Sequence, residues 1–154
     1  MKAIEHLRAL KLADIKARYP NVPSIALPKF EYNEKSANGL TRCIVDFLNL
    51  SGHQAERINT MGRMVDNRKT YTDVIGRTKT IGSAKYIPTT GTKGSADISA
   101  TIKGRSVKIE VKWNKDRQSQ DQKAYQEMIE RAGGVYILAK DFDTFYQWYL
   151  DFVK

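Results

Sequence analysis

Cysteine and histidine are scarce in this chain: Cys43 stands alone, and His6 and His53 are the only histidines in 154 residues. One cysteine excludes an internal disulfide and a thiolate-rich zinc site, and Cys43 sits among Ile44, Val45, Phe47 and Leu48 as a small core residue would. The two histidines fall on separate segments, which argues against a histidine-based hydrolase or metal site. His53 follows Ser51-Gly52 at an expected helix end, where it favours the C-terminal dipole. Long apolar runs are missing and the opening residues are charged throughout, so the expectation is a soluble, cytoplasmic chain without a membrane partner. Acid is the last shortage. Seventeen Asp and Glu face 26 Lys and Arg, a formal net charge of +9, which favours a polyanionic partner, nucleic acid ahead of an anionic membrane surface.

The length suits one domain with one sizeable core. Ile4, Leu7, Leu10 and Ile15 recur at helical spacing over Lys2 to Arg18, and Pro20, Pro23 and Pro28 then forbid a regular helix. Residues 1–35 therefore read as a helix and an extended arm, ahead of a domain over 36–154. In that domain Leu40, Cys43, Ile44, Phe47 and Leu48 form the stripe of a helix that begins at Ser36 and is closed by Gly52, followed by a short strand over "QAERINT". The region 61–93 reads as an irregular excursion, with "KTYTDVI" and "KTIGSAKYI" forming an excursion or hairpin. Its Arg63, Arg68, Lys69, Arg77, Lys79, Lys85 and Lys93 outnumber Asp66 and Asp73; it is either a phosphate-binding element or a solvated loop of ordinary charge. A helix with an S-x-x-Q capping box starts at Ser119 and ends at Gly133-Gly134. "VYILA" then reads as a buried strand, and a last helix carries Phe142, Phe145, Tyr149 and Phe152 on one side, for core or dimer packing. The order predicts an α/β fold: a mixed central sheet with an antiparallel strand pair, flanked by helices.

Chemistry concentrates in "KGSADISATIKGRSVKIEVK", Lys93 to Lys112. A hairpin turning at Lys103-Gly104 pairs residues whose numbers have a constant sum, which sets Ile98 against Ile109 and Ala100 against Val107 on one face. Ser99 then faces Lys108 on the other, and Asp97 lands opposite Glu110. A shift of one residue would mix apolar and polar faces, so the alternation itself supports this register. Two opposed carboxylates repel unless one holds a proton or a cation lies between them. Mg2+ suits them, because it takes one or two protein carboxylates and completes its shell with water and phosphate oxygens. Lys112, two residues past Glu110, shares that face and can bind a phosphate oxygen or orient the attacking water. These parts serve phosphodiester hydrolysis. They also fit an exposed hairpin with ordinary ion pairs, since D…E-x-K spacings are common.

The ordered set Gly94 with Asp97, Glu110-Val111-Lys112, Ser119 with Gln122, and Gly133-Gly134 before a strand resembles the VRR-NUC branch of the PD-(D/E)XK nuclease superfamily. Upstream, the helix from Ala37 and the R-x-N-T run of Arg57, Asn59 and Thr60 are similar to that family's first elements, so the resemblance covers most of Ala37 to Ala139 apart from the excursion. It implies a restriction-endonuclease-like core and a Mg2+- or Mn2+-dependent nuclease. Asp97 and Glu110 would be metal ligands, Val111 would lend its backbone carbonyl, Lys112 would be catalytic, and Gln122 would orient substrate or water. Where the family places a glutamate early in the first helix, this chain has Asn38, which could ligate through its carbonyl oxygen with one charge fewer. Stand-alone members from phages resemble homodimeric resolvases that cut four-way DNA junctions. The expectation is therefore a phage-type Holliday junction resolvase acting on branched DNA. Its candidate nucleic-acid contacts are Arg57, Asn59, Arg63, Arg68, Lys69, Lys93, Lys115 and Arg117. A nuclease fold that binds without cleaving, or a nuclease for linear or nicked duplex, remains as an alternative.

Overall fold

The computed structural model describes residues 2–28, 30–59 and 62–154. The hairpin forms in the expected register: β6 (Ile98–Ile102) runs antiparallel to β7 (Arg105–Val111), with Ile98 opposite Ile109, Ser99 opposite Lys108 and Ala100 opposite Val107. Lys103 and Gly104 join them with φ of 48° and 76°, the paired positive values of a tight hairpin turn whose twist matches its strands. Gly104 takes that conformation without strain, and Lys103 takes it despite its Cβ.

β1 (Gln54–Arg57) adds antiparallel to β6, and β8 (Val135–Ala139) adds parallel to β7, giving a four-stranded mixed sheet in the order β1-β6-β7-β8. Parallel neighbours need a crossover, which α3 (Gln120–Arg131) supplies. The strand expected over residues 54–60 stops at Arg57, and Thr60 lies outside the described residues. α2 (Ala37–Leu50) is capped by Ser36, whose Oγ accepts the N–H of Gly39, and its Leu40, Cys43, Ile44, Phe47 and Leu48 are all buried. α4 (Phe142–Phe152) starts on the Asp141 cap.

Strand alternation sorts the sheet into two faces. Ala55, Ile98, Ala100, Ile102, Val107, Ile109 and Val111 pack into one apolar core with Leu40, Ile44, Phe47, Phe142, Phe145 and Tyr149. The aromatic side of α4 is thus occupied by the protein's own core; Phe47 meets Phe142, Phe145, Tyr146 and Tyr149 edge-on. α1 (Ala3–Arg18) places Ala3 and Leu7 in the same core and packs on α2 and α4, so the helix that opens residues 1–35 is integral to this unit. Both histidines tie to α4, His6 Nδ1 to Tyr146 Oη and His53 Nε2 to Tyr149 Oη, each at 2.9 Å. The opposite sheet face carries Glu110, Lys112 and Tyr136, and α3 lies over it.

Residues up to Ile58 together with Lys93–Lys154 make up this unit, and Asn59–Thr92 form a second. The second is more regular than the sequence suggests. β2 (Arg63–Asp66) pairs with β5 (Ala84–Ile87), and β3 (Lys69–Thr72) pairs with β4 (Thr78–Ile81), both antiparallel. Facing residues have the same number sum in both pairs, and Asn67 N–H donates to the Ser83 carbonyl between them; the excursion is a nested β-ribbon. No helix among the described residues is long and apolar enough to cross a membrane.

Candidate active site

Glu110 is the centre of the polar sheet face. The residue is only 2% exposed, and such burial of a carboxylate requires compensating partners. Three supply them. Lys112 Nζ lies 3.0 Å from Glu110 Oε1, the Gln122 amide donates to the same oxygen, and Tyr136 Oη donates to Oε2 at 3.4 Å. Lys112, itself 6% exposed, also reaches Asp116 Oδ2 at 3.3 Å. Local structure explains each position. Glu110 and Lys112 are two residues apart along β7 and its end, and Tyr136 rises from the neighbouring strand β8 on the same face.

Gln122 performs two tasks. Its Oε1 accepts the Ser119 N–H at 2.9 Å, closing the capping box, while its Nε2 turns to Glu110. Gly94 permits this placement: with φ at 77°, a Cβ there would fall 2.4 Å from the carbonyl carbon of Asp121 and 2.8 Å from the Gln122 nitrogen. Lys93 adds an ion pair to Asp121 at 3.1 Å.

Asp97 lies one residue before β6, so the backbone ladder ends at Ile98 opposite Ile109. Its carboxylate continues the pairing by other means: Oδ2 accepts the Val111 N–H at 2.9 Å, and its carbonyl accepts the Ile58 N–H at 2.7 Å. The expected conflict between the two acids is felt. Burial first, and the Asp97 charge second, raise the Glu110 pKa above its ordinary value, against the opposing pull of Lys112 and Tyr136. Burial disfavours the Lys112 ammonium, but the Glu110 and Asp116 carboxylates outweigh it and the net shift is upward. Tyr136 is likewise raised, by burial and then by Glu110, and remains a neutral donor.

Asn38, in the first turn of α2, is exposed, and its Oδ1 accepts from Arg57 Nη2 at 2.9 Å. A cation at that oxygen would compete with the guanidinium. No group of three or more His, Cys, Asp or Glu is gathered as a metal cage among the described residues. Asp97 and Glu110 are hard oxygen donors of the kind Mg2+ takes, but both Glu110 oxygens are engaged by Lys112, Gln122 and Tyr136, and Asp97 Oδ2 accepts the Val111 N–H, so an ion would have to share these oxygens.

The expected nucleic-acid contacts divide by location. Lys93, Arg57, Lys115 and Arg117 belong to the larger unit, the last two exposed on the β7–α3 connection, while Asn59, Arg63, Arg68 and Lys69 belong to the ribbon unit. Arg68 is held by Asp66, Nη2 to Oδ2 at 2.6 Å and Nε to both carboxylate oxygens. Sequence reasoning did not single out Tyr136 or Asp116. Asp116 follows Lys112 by four residues but in a turn rather than a helix, and Tyr136 becomes visible only once β8 is known to lie parallel to β7. Compared with protein-family models and with curated proteins, the chain matches none.

Proposed function

We propose that the protein is a metal-dependent DNA endonuclease that hydrolyses phosphodiester bonds, with branched DNA, and four-way junctions in particular, as substrate. One observation carries this reading: a buried glutamate, braced by a lysine and a glutamine and raised in pKa by its burial and then by a neighbouring aspartate, on the polar face of a mixed sheet. Buried acids with perturbed pKa values and a specific charge partner are what catalytic sites require. The excess of 26 basic over 17 acidic residues supports a polyanionic substrate. The junction preference and a PD-(D/E)XK core follow from the resemblance.

Asp97 and Glu110, with the Val111 carbonyl, would hold Mg2+ or Mn2+; the bound ion supplies Lewis-acid activation of water and neutralises charge on the phosphate. The chain's own groups do the rest. Lys112 stays charged at neutral pH and offers an N–H donor to a nonbridging phosphate oxygen as charge grows there. Gln122 and Tyr136 fix the rotamer of Glu110, so that the carboxylate is oriented before substrate arrives. Two copies related by a two-fold axis would present paired sites to a symmetric junction.

The test is cleavage of labelled four-way junction, linear duplex and flap DNA by the full chain with Mg2+, Mn2+ or EDTA, repeated with Lys112→Ala. Expected are symmetric junction cuts that require metal, with the variant slowed by about 100-fold or more. Equal cutting of linear duplex would sink the junction preference. Tight binding with no cutting in either metal would turn the assignment to a nuclease-like fold that binds DNA, the reading favoured by Asn38 carrying Arg57 instead of a glutamate's charge.

A further inference from the structure

The two faces of the β-ribbon differ in chemistry. Facing residues share parity in both strand pairs, so each pair can be sorted by alternation. In the β3–β4 pair, Lys69, Tyr71, Lys79 and Ile81 lie on one face, and Thr70, Thr72, Thr78 and Thr80 on the other; the Thr70 and Thr80 hydroxyls meet at 3.0 Å across the strands. In the β2–β5 pair, Arg63 and Lys85 share a face with Val65 and Ile87, opposite Met64, Asp66, Ala84 and Tyr86. Each pair therefore has one basic face. The two acids of the ribbon do not offset it freely: Asp66 is bound to Arg68, and Asp73 is built into the tip.

The tip is organised and apolar. Asp73 Oδ1 accepts the N–H groups of Ile75 and Arg77 at 3.0 and 2.9 Å, Asp73 N–H donates to the Arg77 carbonyl, and Gly76 turns the chain with φ of 79°. On this pinned turn Val74 is fully exposed and Ile75 is 74% exposed. Two branched aliphatic side chains on a hydrogen-bonded turn at the end of a basic ribbon have the form of a wedge flanked by phosphate-binding charge.

We propose that the ribbon is a DNA-gripping arm: Arg63, Lys69, Lys79 and Lys85 lie along duplex phosphates, and Val74 with Ile75 enter a groove and unstack a base step. A two-stranded ribbon fits a groove of B-form DNA, and side-chain wedges kink the duplex they enter. Only the choice of DNA as the polyanion rests on the nuclease reading. The basic face favours this occupant over a second copy of the same basic chain.

The test uses the full chain in EDTA, so that hydrolysis plays no part. Binding to a short duplex is followed by anisotropy across a salt series, and unstacking by emission of a 2-aminopurine placed at each step in turn. Wild type is expected to raise the emission at a step within its footprint. Val74→Ser with Ile75→Ser should abolish the rise while affinity changes by no more than about threefold, because the phosphate contacts remain. Lys69→Gln with Lys79→Gln should weaken binding by about tenfold or more and lower the salt slope by about 2. Thr72→Gln with Thr78→Gln, on the opposite face, should leave both readouts unchanged. The arm is refuted if wild type raises no emission at any step, or if the threonine pair costs as much affinity as the lysine pair. It is also refuted if the tip variant dissociates a dimer and leaves the emission intact, which would make the tip a self-association surface. Loss of metal-dependent cleavage in the Lys112→Ala assay bears on the nuclease reading alone, and these outcomes bear on the arm alone.

Discussion

Glu110 is costly to bury and is tolerated because Lys112 is buried beside it, 3.0 Å away. A carboxyl whose folded pKa is raised stabilises the protein fully below its unfolded pKa and loses that contribution as pH climbs through the folded value. Lys112 pulls the Glu110 pKa down, so Lys112→Met moves it further up and deepens the penalty on the alkaline side. The expected loss is about 3 kcal/mol at pH 7, the size associated with a buried charge left without its partner. It should shrink as pH falls below the ordinary glutamate value of 4.5, where the Glu110 carboxyl takes up its proton in the folded and the unfolded chain alike. Urea midpoints at the two pH values measure this; an equal deficit at both would show that lost packing, not charge, is responsible. Asp97, Glu110, Lys112 and Gln122 could be named from sequence because strand alternation and a capping box are local patterns. Tyr136 and Asp116 could not, since one depends on the register of a parallel pair made by a crossover and the other on a turn conformation.

Helix α3 is positioned by the chain that passes beneath its first turn. Gly94 and Gly104 both have positive φ, but only Gly94 faces backbone; beyond Gly104 a Cβ meets nothing within 4 Å. Gly104→Ala should therefore cost about 1 kcal/mol, the left-handed strain alone. Gly94→Ala adds overpacking against Asp121 and Gln122 and should cost about 2–4 kcal/mol. Thermal melts of the two variants decide it, and equal Tm shifts would remove the argument that Gly94 sets the height of α3. At this scale the sequence was informative wherever one face is apolar. The register of β6 and β7 was fixed by Ile98, Ala100, Val107 and Ile109. In the ribbon the alternation is between basic and neutral residues, and Asn67-Arg68 and Gly82-Ser83 interrupt the strands, so β2 escaped notice and the nested pairing read as irregular.

At the scale of the whole molecule, the buried core of the described residues lies in one of the two units. Every residue of the buried cluster belongs to the larger unit, whose stability should not depend on the ribbon. Replacing residues 62–89 by a flexible Gly-Ser linker of about ten residues should change unfolding stability by less than about 1 kcal/mol, since closure entropy varies slowly with loop length. Urea unfolding followed by circular dichroism would test this, and loss of a cooperative transition would show that the ribbon is needed to fold the rest. What sequence could not supply at this scale was partnership. The apolar stripe of α1 predicts a buried face, but not that Leu7 would join Phe47 or that His6 would meet Tyr146.

The distribution of aromatic residues has an optical consequence. Both tryptophans, Trp113 and Trp148, pack against the core of the larger unit, Trp148 stacked on Phe152 at 4.8 Å, whereas the ribbon's aromatics are Tyr71 and Tyr86. Tryptophan emission therefore watches one unit. The ribbon adds no tryptophan signal of its own, so the unfolding of the larger unit can be followed by itself in the full chain without a label.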